Sequence, residues 1–75
     1  MKDILKKQTQ QFIFDRLKGA SKEDLNKIKD KQIWGLVNFL YSADMTLQAR
    51  SVLGVTVSKN EYYFWIKEVI NILKK

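Results

Sequence analysis

From Leu5 to Leu73 the apolar side chains recur at intervals of three and four residues, and no proline interrupts them. That spacing gathers them on one side of successive helices. A strand would need strict alternation; only Val55-Thr56-Val57 offers it, over too short a run for a sheet. The chain is therefore expected to be all-α, a small bundle of four to five helices forming one domain over residues 1–75. At 75 residues it buries only about 60% of its unfolded surface. With no Cys and no His, it has neither a disulfide nor the commonest metal ligands to staple the bundle. Packed aliphatic and aromatic side chains must supply the stability, alone or shared with a second copy in a homodimer.

Helix ends are marked by local chemistry. The first helix is expected from Asp3 to Lys18, with Leu5, Phe12, Ile13 and Leu17 as its stripe, Thr9 in the gap and Gly19 as a left-handed cap. Ser21 followed by Asp24 has capping-box spacing and opens a helix with Leu25 and Ile28 inward. A break is expected near Lys29 to Lys31, with Asp30 as a fresh cap. Ile33, Trp34, Leu36, Val37, Leu40 and Tyr41 then face inward up to Ser42. Asp44 or Thr46 caps a short helix, Leu47 to Leu53, with Ala49, Val52 and Leu53 inward and Gly54 as its stop. Ser58 and Glu61 form a second capping box, and Val57 and Tyr62 have the spacing of a hydrophobic staple. The last helix, Lys59 to Lys74, carries Tyr62, Trp65, Ile66, Val69, Ile70 and Leu73 inward.

No Gly-rich phosphate loop or nucleophile elbow is present. The acidic residues fall where caps or surface pairs explain them, so no enzyme, metal or cofactor is expected. The start of the chain, MKDILKKQTQQ, lacks a signal peptide's apolar stretch. No apolar run is long enough to span a bilayer, so a cytoplasmic protein without membrane contact is expected.

Net charge is +6, and 14 residues are basic, all Lys except Arg16 and Arg50. Such a chain gains affinity for polyanions by counterion release. Its scarcity of Arg favours phosphate contact over base reading. The stretch Leu47 to Lys67 has the outline of a helix-turn-helix in the C-terminal half. Arg50 stands where that motif usually has a small residue, and the turn Gly54 to Ser58 is longer than usual. On this outline Arg50, Lys59, Asn60, Tyr63 and Lys67 meet DNA, with Asn60 suited to an adenine edge. Lys27, Lys29 and Lys31 at the expected break are further phosphate candidates. Plain helix packing and a solvated charge face are the alternatives.

Asp15-Arg16-Leu17-Lys18, Leu25-Asn26-Lys27-Ile28, Tyr41-Ser42-Ala43-Asp44 with Leu47, and Trp65 resemble the Hha/YmoA family. Those small helical proteins of enteric bacteria modulate the nucleoid protein H-NS. The likeness runs from Asp15 onward and needs a deletion of several residues between Ile28 and Phe39. It implies that Asp44 contacts a DNA-bound protein or other host target. Phe14, Tyr63 and Phe64 lie off the main stripes. Either they form a partner-binding surface or the core wraps around more than one side of the last helix. The resulting expectation is a regulator of transcription that binds DNA, with a protein-binding modulator as the second reading.

Overall fold

Serine and aspartate side chains mark where the helices begin. The computed structural model describes residues 2–52 and 54–75. They form α1 (Lys2–Leu17), α2 (Lys22–Asn26), α3 (Asp30–Ala43), α4 (Met45–Val52) and α5 (Lys59–Lys74), an all-helical bundle. Expectations for the side chains of Thr46, Arg50 and Val52, and for Leu53, lie outside the described residues.

Ser58 and Glu61 close their capping box reciprocally: the serine Oγ accepts from the Glu61 amide, and the carboxylate accepts from the Ser58 amide. Val57 and Tyr62 on either side are both buried, as a staple requires. At α2 the serine half of the box forms, with Ser21 Oγ accepting from the Asp24 amide. Gly54, at φ 85°, ends α4 in the left-handed region that favours glycine.

Two terminal assignments change. Gly19 is not left-handed; the chain leaves α1 through hydrogen bonds from Lys18 N to Phe14 O and Ala20 N to Leu17 O. These satisfy the end carbonyls without a left-handed residue. Asp30 does not cap α3. Lys29 occupies that position, and its amide donates to Gln32 Oε1 at 2.9 Å. Asp30 is the first helical residue, and its carboxylate accepts from the Tyr63 hydroxyl instead.

The centre of the bundle is α5. Helices α1, α2 and α3 all pack on it, while α4 packs on α1. Tyr62, Tyr63, Trp65, Ile66, Val69 and Ile70 are buried along α5. They meet Leu5, Ile13 and Leu17 of α1, Leu25 of α2, and Ile33, Val37 and Leu40 of α3 in one core. Among the described side chains of α4, Leu47 is buried and Ala49 is exposed. Positions two apart lie on opposite sides of a helix, so burying Leu47 turns Ala49 outward. The connection between α4 and α5 is held by the Tyr41 hydroxyl, which donates to Val57 O at 2.7 Å.

Two polar residues lie fully inside. Asp44 is 0% exposed; its Oδ1 accepts from the Leu47 amide at 3.3 Å and its Oδ2 from the Tyr62 hydroxyl at 3.1 Å. It is a helix cap that also joins α4 to α5. A carboxylate buried this way cannot touch a partner, which corrects the surface role expected of it. Thr9, in the gap of the α1 stripe, is also 0% exposed, and its Oγ1 has no hydrogen-bond partner among the described residues.

Two substitutions separate these cases. Asp44→Ala removes a cap and leaves the buried Tyr62 hydroxyl unsatisfied, so urea unfolding should show a loss of about 2–4 kcal/mol. Thr9→Val keeps the shape while deleting the unpaired hydroxyl, and should raise stability by about 1 kcal/mol in the same measurement.

Candidate nucleic-acid interface

Helices α3 and α5 lie side by side, and the side chains along their junction are aromatic, amide and basic. Trp34 stacks on Tyr63 with centroids 4.6 Å apart and planes 15° apart. Tyr63 meets Phe64 in a T-shaped contact at 5.3 Å. Lys67 places its ammonium 5.6 Å from the Tyr63 ring centroid. Lys59 Nζ donates to Asn38 Oδ1 at 3.3 Å and sits over the Tyr41 ring. Lys31, Trp34 and Asn38 follow one another at helical spacing, so Lys31 shares this side of α3. Asn60, Phe64, Lys67 and Asn71, all exposed, do the same along α5.

At the far end of the face a groove of about 170 Å³ separates the start of α3 from the last turns of α5. Ile28, Ile33 and Ile70 form its floor, with Asp30, Lys67, Asn71 and Lys74 around them. Lys67 and Lys74 are seven residues apart and line the same groove, as two helical turns dictate. Asp30 is the one carboxylate on the face among the described residues, and it is engaged by the Tyr63 hydroxyl. Glu68 points the other way, to α1, where Lys6 (3.2 Å) and Gln10 (2.7 Å) hold it. The hydrogen bond from Gln10, more than the charge of Lys6, holds its carboxyl below the usual range. The face is thereby left with a surplus of positive charge: Lys31, Lys59, Lys67 and Lys74.

The expected contact residues divide accordingly. Lys59, Asn60, Lys67, Lys29 and Lys31 are exposed. Lys27 is exposed as well but pairs with Glu23 one turn before it, at 3.1 Å. The Arg50 side chain lies outside the described residues. Tyr63 is only 8% exposed, under Trp34, and so is not a surface reader or a partner-binding residue. The core wraps around α5 far enough to take in Tyr63 but not Phe64, which is 59% exposed. Phe14 is half-buried in a shallow groove between α1 and α5, beside Val69 and Ile72. It packs on the core and does not stand out as a free partner-binding side chain. Lys74 and Trp34 were not expected at a site: Trp34 was placed in the α3 stripe, and Lys74 lies in the last turn of α5, where the helix dipole alone suits a Lys. The seven-residue interval from Lys67 to Lys74 was the available signal.

No family model, curated protein or solved structure matches this chain. Among the described residues no group of acidic side chains could hold a metal ion, and no helix is long and apolar enough to cross a membrane.

Two tyrosines give the fold a pH limit. Burial first, then the nearby Asp44 charge and its hydrogen bond, push the Tyr62 phenol far above its ordinary value of 10.0. The hydrogen bond to Asp30, followed by burial, raises Tyr63 as well. A raised folded value means the stabilising contribution is complete below pH 10 or so and is lost as the pH climbs beyond it. Far-UV circular dichroism should show unfolding in that alkaline range, coincident with phenolate absorbance. Tyr62→Phe should move the transition to higher pH.

Proposed function

We propose that the protein is a small non-enzymatic regulator that acts on transcription by binding DNA, with the α3–α5 face as its contact surface. The observation that carries this reading is the convergence of Lys31, Lys59, Lys67 and Lys74 around exposed amides and aromatic rings, with the single carboxylate of the face already engaged. The lysines take phosphates, and Asn60 offers its amide to a base edge. α5 remains the helix presented to DNA, as in the helix-turn-helix outline. Its supporting neighbour is α3, because α4 packs on α1. Lys59 and Lys74 are about 22 Å apart along the helix axis, a length matching about six phosphates of one B-form strand.

A protein-binding modulator is the second reading. It is favoured by Phe39 and Met45, which are 71% and 73% exposed on a small chain. The Hha-like reading belongs here too, without its Asp44 contact.

Fluorescence anisotropy with duplex DNA tests the first reading. With three to four phosphates engaged, affinity should fall roughly 40- to 150-fold between about 50 and 200 mM salt. Lys67→Ala should weaken binding to all sequences alike and flatten the salt dependence by about one phosphate. No binding to duplex or single-stranded DNA at low salt, or binding indifferent to salt, removes this reading. A nuclease-resistant protein complex lost on Phe39→Ser would then favour the second.

A further inference from the structure

Phe64 stands on α5 at the edge of the basic face. Its ring touches Tyr63 at 5.3 Å, and 59% of the residue is open to solvent. Its neighbours at helical spacing are Asn60, Lys67, Glu68 and Asn71, all exposed, and the half-buried Glu61; of the two carboxylates, Glu68 is turned to Lys6 and Gln10 of α1 and Glu61 closes the Ser58 capping box. An apolar protein surface seated on Phe64 would bury those amides and the Lys67 ammonium against hydrocarbon, at a cost in desolvation. A nucleobase fits better, with a flat π surface for the ring and polar edges for the two amides. Charge complementarity points the same way, since lysines line the approach and would meet the sugar-phosphate chain.

Base pairing decides which form of nucleic acid this favours. In a duplex the base faces are covered by stacking, and a protruding phenylalanine can reach little beyond a thymine methyl. Duplex reading also relies on arginine forks. Among the described residues this face has none, and Arg16 lies on α1, over Phe12. Lysines that follow a backbone, beside an exposed ring that takes any base, are the elements of single-strand binding.

We infer that the α3–α5 face takes an unpaired nucleic-acid strand, with Phe64 stacking on one base while Lys31, Lys59, Lys67 and Lys74 follow the phosphates. This rests on the DNA-binding reading and narrows it to strands whose bases are open. Asn60 and Asn71, one turn before and two turns after Phe64, flank the stacked base. Tyr63, itself stacked on Trp34, meets the Phe64 ring in a T-shaped contact and helps hold it in place.

The test compares labelled oligo(dT) of about twelve nucleotides, oligo(rU) of the same length, and the matching dA·dT duplex at about 50 mM salt. The unpaired strands should bind more tightly than the duplex, and the two oligomers tell DNA from RNA as the source. Phe64→Ala should weaken strand binding by about 5- to 100-fold and leave the duplex within about twofold, while Phe64→Trp keeps strand affinity. Unchanged helicity of both variants keeps the comparison valid. Duplex binding that equals or exceeds strand binding, or indifference to Phe64→Ala, overturns the inference and leaves the DNA-binding reading standing. Failure to bind any of the three overturns both.

Discussion

The burial of α5 governs the rest of the molecule. A 75-residue chain without Cys or His depends on one continuous core for its stability. That core exists because one helix is apolar around more than half its circumference. Tyr62, Trp65, Ile66 and Val69 are buried in the core, and Tyr63 with Ile70 turns toward α3. Three helices can then lean on it at once. The same wide burial confines function to a strip: beside α3, α5 shows another molecule Asn60, Phe64, Lys67 and Asn71, with Lys59 and Lys74 at its two ends.

Placement of charge follows from the packing. Glu68 is drawn to α1 by Lys6 and Gln10, Asp44 is enclosed, and Asp30 is taken up by Tyr63. Glu68 and Asp44 are thereby directed away from the α3–α5 face, and Asp30, which stays on it, is occupied by a hydroxyl. The contacts around Glu68 are solvent-exposed and contribute little to stability. Their effect is on the electrostatic profile, since they leave Asp30 as the acidic neighbour that the α5 lysines meet on their own side.

Local signals were readable in the residues wherever the deciding partner was close in the chain. The Ser58–Glu61 box and the limits of α5 follow from spacing alone, as does the Lys27–Glu23 pair one turn apart. The helical class follows from periodicity. Tyr63 borders the α5 stripe while the adjacent Phe64 lies opposite it, and the burial of Tyr63 depends on Trp34, far upstream. Asp44 reads equally well as a surface cap or an interior one. Its depth is settled by the hydroxyl of Tyr62, which only the packing of α5 brings near. The basic face was half legible for the same reason: each helix declared its own lysines, but not which helix would lie beside it.

The position of the central helix in the chain has a consequence for synthesis. Residues before Lys59 can form isolated turns as they emerge, but short helices without a packing partner are marginal in water. Leu5, Ile13, Leu25 and Val37 have nothing adequate to close upon until α5 has been made. Tertiary structure must therefore wait until that last element leaves the ribosomal tunnel. Nascent chains of this protein spend their growth with oily side chains uncovered, and depend on the brevity of that interval to escape aggregation.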